Sequence, residues 1–245
     1  MPSGSRLDQA LVSAGLAPSR ARAQALIAAG MVRVDGAPAT RPSARVEPGA
    51  ALALTGDPLP YVSRAALKLK HALEQFGLDP RGEVALDLGA STGGFSQILL
   101  EAGAAEVWAV DVGHGQLAPS LRAEPRLRLI EGLNVRDLTP DHVPPPGWIT
   151  ADLSFIALAK ALPPALALAR PGAVLVALIK PQFEVGPAAV GKGGIVRDPV
   201  AIAAAREGVA RFLTAAGWIL LGETESPIRG GDGNAEYLIA ARKPL

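Results

Sequence analysis

Val84-Ala-Leu-Asp87-Leu-Gly89-Ala-Ser91-Thr92-Gly93-Gly94-Phe95 decides how this chain reads. An apolar run ends in an acid and passes straight into a glycine-rich turn. A run of that length, closed by glycines, reads as a buried strand feeding a helix. Glycines at such a turn let backbone amides approach a ligand closely.

The surrounding residues repeat the pattern. Strands are expected at 84–88, 107–111, 128–131, 148–152, 173–180, 218–223 and 236–241, with helical stretches between most of them. A helix over 64–76 precedes the first, with Leu69, Leu73 and Phe76 on its buried face and Arg64, Lys68, His71 and Gln75 on the other. Apolar strands alternating with helices predict an α/β fold: a mostly parallel, seven-stranded, Rossmann-like sheet covered on both faces. Ligands bind such sheets beyond the carboxyl ends of the strands.

Three chemistries compete for the loop. A dinucleotide site wants G-x-G-x-x-G, but Ser91 and Thr92 occupy its middle. A hydrolase elbow matches Gly89-Ala-Ser91-Thr-Gly93, but needs a histidine late in the chain; the three histidines are His71, His114 and His142. An S-adenosylmethionine pocket fits better. Asp87 can order the loop and the ligand's amino acid part. Asp111 ends the second strand and can accept both ribose hydroxyls. Asn134 follows the third and can bond an adenine edge, and Asp152 ends the fourth. A Walker-like Gly186-x-x-x-x-Gly191-Lys192 carries Gly193 where the magnesium-holding Ser or Thr belongs. It reads as a loop whose Lys192 can meet a polyanion.

Composition narrows the class. Of 245 residues, 49% are hydrophobic and 19% charged, ample for a folded core, and Lys+Arg 24 against Asp+Glu 23 excludes a generally basic coat. The absence of cysteine removes disulfides, thiolate metal sites and thiol nucleophiles. No signal peptide or membrane span is read, so a cytoplasmic protein is expected. Charge divides the chain: residues 1–57 hold six arginines against four acids, and turn-rich 55–60 reads as a linker to a second domain at 58–245. The small part reads helix-helix-strand-strand, with Ser19 as an N-cap and Asp35-Gly36 as a hairpin turn. Arg20 and Arg22 fall in a helical first turn, where the macrodipole disfavours cations unless an anion joins them. With Arg6, Arg33 and Arg41 they form a candidate phosphate-binding face.

These motifs together resemble the TlyA family, hemolysin-named proteins that pair an S-four-type RNA-binding domain with an FtsJ-like methyltransferase. The resemblance rests on Arg6-Leu-Asp-Gln-Ala-Leu-Val12, Ser19-Arg-Ala-Arg22, Gly30-Met-Val-Arg-Val-Asp-Gly36, Tyr61-Val-Ser-Arg-Ala-Ala-Leu-Lys68, Asp87 to Phe95, Ala151-Asp152-Leu-Ser-Phe155, Ile179-Lys180-Pro-Gln-Phe-Glu184 and Asn234-Ala-Glu236-Tyr. It implies a small α+β RNA-binding domain before a class I methyltransferase. The activity implied is 2′-O-methylation of a cytidine in ribosomal RNA, with S-adenosylmethionine as cofactor and no metal. The short ends resemble the family form associated with the large subunit (23S); the small subunit (16S) is the wider alternative. The family's Lys-Asp-Lys-Glu set falls on Lys68, Asp152, Lys180 and Glu236. Gly89, Ser91, Thr92, Gly93, Gly94 and Phe95 complete the expected cofactor loop, and Arg64 and Lys192 join the RNA-contacting set.

The residue chemistry agrees. A ribose hydroxyl is a poor nucleophile at neutral pH; it needs a base, or cations that favour its alkoxide, and in-line placement. Repulsion between Lys68 and Lys180 suits Lys180 to act as that base, with the two acids holding the lysines. Rival readings are a non-catalytic RNA-binding assembly factor and a cytolysin. The latter finds neither a membrane span nor a long basic amphipathic helix in the sequence.

Overall fold

The computed structural model describes residues 4–17, 19–55, 60–186 and 189–245. The chain forms two compact units, Met1–Pro60 and Tyr61–Leu245. Positions 56–59 of the expected linker lie outside the described residues.

The first unit runs β1 (Ser5–Arg6), α1 (Leu7–Ser13), α2 (Arg20–Ala28), β2 (Val32–Val34), β3 (Ala37–Pro38), β4 (Arg45–Val46) and β5 (Leu52–Leu54). The expected helix-helix-strand-strand order gains three strands of two residues each, too short to show any periodicity. Ser19 does cap α2, accepting from the Arg22 amide at 3.2 Å. Asp35 and Gly36 turn β2 into β3 with φ of 51° and 80°, the left-handed pair of a type I′ hairpin. Leu7, Leu11, Ala23, Leu26, Ile27 and Val32 fill a small core.

The second unit begins with α3 (Ala65–Phe76). Then follow β6 (Val84–Leu88), α4 (Gly94–Glu101), β7 (Glu106–Asp111), α5 (Pro119–Arg122), β8 (Leu127–Glu131) and β9 (Trp148–Ala151). The rest is α6 (Leu158–Ala161), α7 (Pro163–Leu168), β10 (Val174–Ile179), α8 (Pro181–Glu184), α9 (Pro199–Ala215), β11 (Ile219–Glu225) and β12 (Tyr237–Arg242). The seven strands form one sheet in the order β11-β12-β10-β9-β6-β7-β8. β10, β9, β6, β7 and β8 are mutually parallel, while β12 is antiparallel to both neighbours. Every residue of β10 is buried, as a strand covered on both faces requires. The chain moves outward from β6 through β7 and β8, then returns to β9 on the other side of β6. That reversal opens a crevice at the carboxyl ends of β6 and β9.

One expectation for α3 is corrected. Lys68 was assigned to its solvent face, yet only 7% of it is exposed, and it is buried with Ala66, Leu69 and Ala72. Its ammonium is paired with acids from the sheet edge, which is what makes the burial tolerable.

Candidate active site

The loop after β6 is shaped by positive-φ residues. Gly89 has φ of 81°, and a Cβ there would meet the Asp152 carbonyl oxygen at 2.5 Å. Only glycine lets the loop lie against the end of β9. A Cβ on Gly94 would meet Ser63 Oγ at 2.3 Å, so α4 starts in close contact with the segment leading into α3. Gly93 packs on Leu117 and Leu121, away from any cavity.

Asp111 ends β7 and secures the loop from the side. Its two carboxylate oxygens accept from the amides of Ser91 and Gly113, each at 2.7 Å. Ser91 has φ of 48° and donates its hydroxyl to Gln116 Oε1 at 3.1 Å. No histidine takes that place: His71 and His142 are engaged with Thr224 and Thr139, and His114 lies beside Gly132. The hydrolase reading ends there. The Walker-like stretch fails too. Lys192–Gly194 is a 3-10 turn containing glycines at φ of 76° and 77°, not the start of an α-helix, while 187–188 lie outside the described residues.

Asp87 lies beneath the loop and lines neither cavity. It is fully buried and accepts from Ser96 Oγ at 2.6 Å and Thr150 Oγ1 at 3.0 Å, tying α4 and β9 to β6. Burial pushes its carboxyl up to about 6, against the two hydroxyl bonds, which lower it. Of its two expected roles, ordering the loop is the one this geometry serves.

Two cavities open at the strand ends, of about 310 and 580 Å³, within the range of small-molecule sites. The larger is lined by Asp111, Asn134, Val135, Leu133, Phe155 and Ile156. Asn134 turns its carbonyl oxygen to the amide of Arg136 at 3.1 Å, which leaves its NH₂ end for a ligand. The smaller is lined by Arg64, Lys68, Thr92, Phe95, Lys180 and Arg229. Gly89, Ser91, Asp152 and Ser154 line both.

The four-residue set meets that shared wall at Asp152; Lys68 and Lys180 line the smaller cavity, and Glu236 lies behind Lys68. Lys68 Nζ lies 2.6 Å from Glu236 Oε2 and 3.9 Å from Asp152 Oδ2. Lys180 Nζ lies 2.6 Å from Asp152 Oδ1 and donates to Ser154 Oγ at 2.9 Å. Asp152 and Lys180 stand one residue beyond β9 and β10, and Glu236 one residue before β12. Because β12 runs antiparallel, with Tyr237 opposite Ile179, its start reaches the same edge. Two ammonium and two carboxylate groups sum to no net charge, the condition under which four ionised groups can share a buried wall.

The expected RNA-contacting residues divide. Arg6 and Arg20 converge on the buried Asp8. Arg33 donates to the Gly36 carbonyl at 3.2 Å, and Arg22 is half-buried in α2. Arg41, Arg64 and Lys192 are exposed, Arg64 at the wall of the smaller cavity.

Sequence reasoning missed four residues here. Ser154 and Arg229 carry no pattern of their own. Asp8 was legible only as an acid two places after Arg6. Asn234 was quoted in a motif without a role; it is buried, accepts from the Val196 amide at 2.9 Å and donates to the Gly194 carbonyl at 2.9 Å. It thus clasps the Lys192 turn to the segment carrying Glu236. Among the described residues, no cluster of His, Asp and Glu is placed to hold a metal, and no helix is long and apolar enough to cross a membrane.

Comparison with known proteins agrees with this architecture. The FtsJ-like methyltransferase family matches residues 61–243, and the S4 domain family residues 5–52. A Mycobacterium tuberculosis protein named 16S/23S rRNA (cytidine-2′-O)-methyltransferase TlyA is 47% identical over 97% of this chain and 89% of its own length. Hemolysin A of Brachyspira hyodysenteriae is 38% identical over 95% of this chain and 98% of its own. A solved hemolysin-named structure from Streptococcus thermophilus superposes with a TM-score of 0.78 at 38% identity, covering 100% of this chain and 90% of that one. With both family domains in sequence order and full-length relatives on either side of the hemolysin name, the chain belongs to the TlyA family, an S4 domain followed by an FtsJ-like methyltransferase domain.

Proposed function

We propose that this chain is an S-adenosylmethionine-dependent methyltransferase that modifies the ribose 2′-hydroxyl of a cytidine in ribosomal RNA. The observation that carries the reading is the neutral Lys68–Glu236 and Lys180–Asp152 pairing, whose lysines line the smaller cavity and whose Asp152 lines both. One cavity suits a cofactor and the other a nucleotide, and among the described residues the polar side chains shared between them are Ser91, Asp152 and Ser154.

The larger cavity fits the cofactor's nucleoside. Apolar Leu133, Val135 and Ile156 flank a flat ring, Asn134 offers donors to a base edge, and the Asp111 carboxylate is placed for vicinal hydroxyls. Gly89, Ser91, Thr92 and Gly94 leave the amino acid part close to the loop backbone. When bound, S-adenosylmethionine supplies an electrophilic sulfonium methyl.

The remaining work falls to the smaller cavity. Lys180, once its ammonium has released its own proton to solvent, takes the ribose hydroxyl's proton at Nζ as a neutral amine, while Asp152 and Ser154 fix the position of that nitrogen. Lys68, held by Glu236, adds positive charge beside the oxygen as it becomes an alkoxide. Asp111 and Asp152, at the ends of the two strands that flank β6, keep the two partners in register for in-line transfer. Arg64, at the cavity wall, is placed for a flanking phosphate, and the arginines of the S4 unit contact the RNA backbone. This activity places the protein with ribosomes in the cytoplasm.

The test is transfer of radiolabelled methyl from S-adenosylmethionine to isolated ribosomal subunits lacking the modification. Label on the large subunit is the expected result. Label on both subunits keeps the chemistry and widens the substrate. No label on either, with cofactor binding intact, overturns the reading in favour of a non-catalytic assembly factor.

A further inference from the structure

Three arginines and one acid gather where the first unit begins. Asp8 is fully buried. Its Oδ1 accepts from Arg6 Nε at 3.0 Å. Its Oδ2 accepts from Arg6 Nη2 at 3.1 Å, Arg20 Nη2 at 3.1 Å and Gln24 Nε2 at 2.9 Å. These bonds hold the carboxyl well below the usual carboxylate range. Arg45 stands directly opposite Arg6 in the β1–β4 ladder and donates to the Gly4 carbonyl at 2.7 Å.

Simple neutralisation does not account for this arrangement. Like charges directly opposed across a ladder are unfavourable, and one carboxylate cannot balance three guanidiniums. The cluster keeps a net positive charge although its acid is engaged on both oxygens. The arginine side chains remain 38% and 55% exposed at Arg6 and Arg20. Each guanidinium has five N–H donors, so both retain donors beyond those spent on Asp8.

We infer that Asp8 is a positioning residue that sets Arg6 and Arg20 as one rigid fork for an RNA backbone phosphate. The inference rests on the proposed role of the S4 unit in gripping RNA. A free arginine loses rotamer freedom when it closes on a phosphate. Arg6 and Arg20 give up that freedom on folding instead, because a buried carboxylate fixes both. The backbone of Asp8 is itself fixed, its amide donating to the Pro42 carbonyl at 3.1 Å.

The sign of one substitution separates this from charge alone. Asp8→Asn adds a net positive charge to the RNA-binding face. If Asp8 only offsets repulsion, the substitution strengthens RNA binding. If Asp8 positions the fork, binding weakens in spite of the added charge.

The experiment measures binding of the full chain to unmodified large ribosomal subunits at two salt concentrations. It uses Asp8→Asn, the Arg6→Ala/Arg20→Ala pair, and all three substitutions combined. The expected result is about ten-fold weaker binding for Asp8→Asn. A shallower salt dependence accompanies it, and no further loss appears when the arginines are already absent. Tighter or unchanged binding of Asp8→Asn, with the arginine pair clearly weakened, overturns the positioning role and leaves the RNA-gripping reading standing. Unchanged binding of the arginine pair overturns both. If Asp8→Asn unfolds the S4 unit, seen as loss of its amide dispersion by NMR, Arg6→Lys decides instead. Lysine keeps the charge but cannot span both Asp8 oxygens, so weakened binding supports the fork and wild-type binding overturns it.

Discussion

The Lys180 ammonium lies 2.6 Å from Asp152 Oδ1, and the two residues stand one place beyond the ends of adjacent parallel strands. Neighbouring strand ends bring together groups 28 positions apart in the chain, and Ser154 completes the hold on Nζ at 2.9 Å. Removing Lys180 therefore removes the group that, as a neutral amine, accepts the proton, and it leaves the lining of the larger cavity intact. Lys180→Ala is expected to lower methyl transfer by roughly 10²–10⁴-fold, the range for a positioned acid–base group. S-adenosylmethionine affinity, followed by calorimetry, should stay within a few-fold of wild type. Near wild-type turnover would remove Lys180 from the chemistry.

Lys68 and Glu236 form the more buried pair, with side-chain exposures of 9% and 3%. Truncating one partner strands a buried charge. Glu236→Ala is expected to cost about 3 kcal/mol, a fall in Tm of roughly 6–12 °C for a unit of this size. The Lys68→Met/Glu236→Leu double substitution should recover most of that loss while restoring no activity. Calorimetric melts paired with methyl-transfer assays check both halves, and an unchanged Tm for Glu236→Ala would show the pair to be idle structurally.

The buried Asp87 makes stability depend on pH in a stated direction. Its folded-state value of about 6 lies above the ordinary 3.8. Between those values the folded unit holds a proton that the unfolded chain has released, so stability falls as pH rises from about 4 to about 6. The penalty, on the order of 3 kcal/mol, is then present in full above that window. Asp87→Asn should remove this slope, because the hydroxyls of Ser96 and Thr150 can still pair with an amide. Denaturant melts at pH 4, 5, 6 and 7 would show it; an identical slope in the variant would assign the dependence to another group.

Gly89 tests whether the loop must touch the end of β9. Alanine there would carry φ of 81° and place its Cβ 2.5 Å from a backbone oxygen that cannot swing aside. Gly89→Ala should therefore displace the wall common to both cavities and weaken S-adenosylmethionine binding by at least ten-fold. Affinity equal to wild type would mean the loop accommodates the change by moving as a body.

Asn234 predicts a different kinetic signature. Its side chain bonds the backbone of 194 and 196 from a position two residues before Glu236. Asn234→Ala should raise the KM for the RNA substrate more than it lowers kcat, by releasing the Lys192 turn while leaving the Lys180–Asp152 pair in place. A fall in kcat alone would show that the clasp acts on Glu236 instead.

What could be read without a fold was whatever repeats or terminates locally. Apolar runs closed by Asp, Gly or Asn located each strand of the large unit to within a residue or two, because burial on both faces imposes a continuous apolar signature. The glycine loop was legible because Gly89 and Gly93 take left-handed conformations that favour glycine. The two-residue strands β1, β3 and β4 were not, since no period fits in two residues.

The four charged residues illustrate the division most clearly. Their identities came from a family resemblance, and local patterning argued against one of them. By helical spacing Lys68 belonged with Arg64, His71 and Gln75 on a wet face, yet it is buried. Spacing along a helix reports one face against another, but not an acid that a distant strand delivers to the same spot. The sequence by itself determined the strands, the loop and the charge inventory, because these depend on neighbours in the chain. Tertiary structure alone decided which charges meet: the reversal after β8 sets Asp152 beside β6, and the antiparallel entry of β12 brings Glu236 to Lys68. Ion pairing depends on distance in space, and strand order sets that distance.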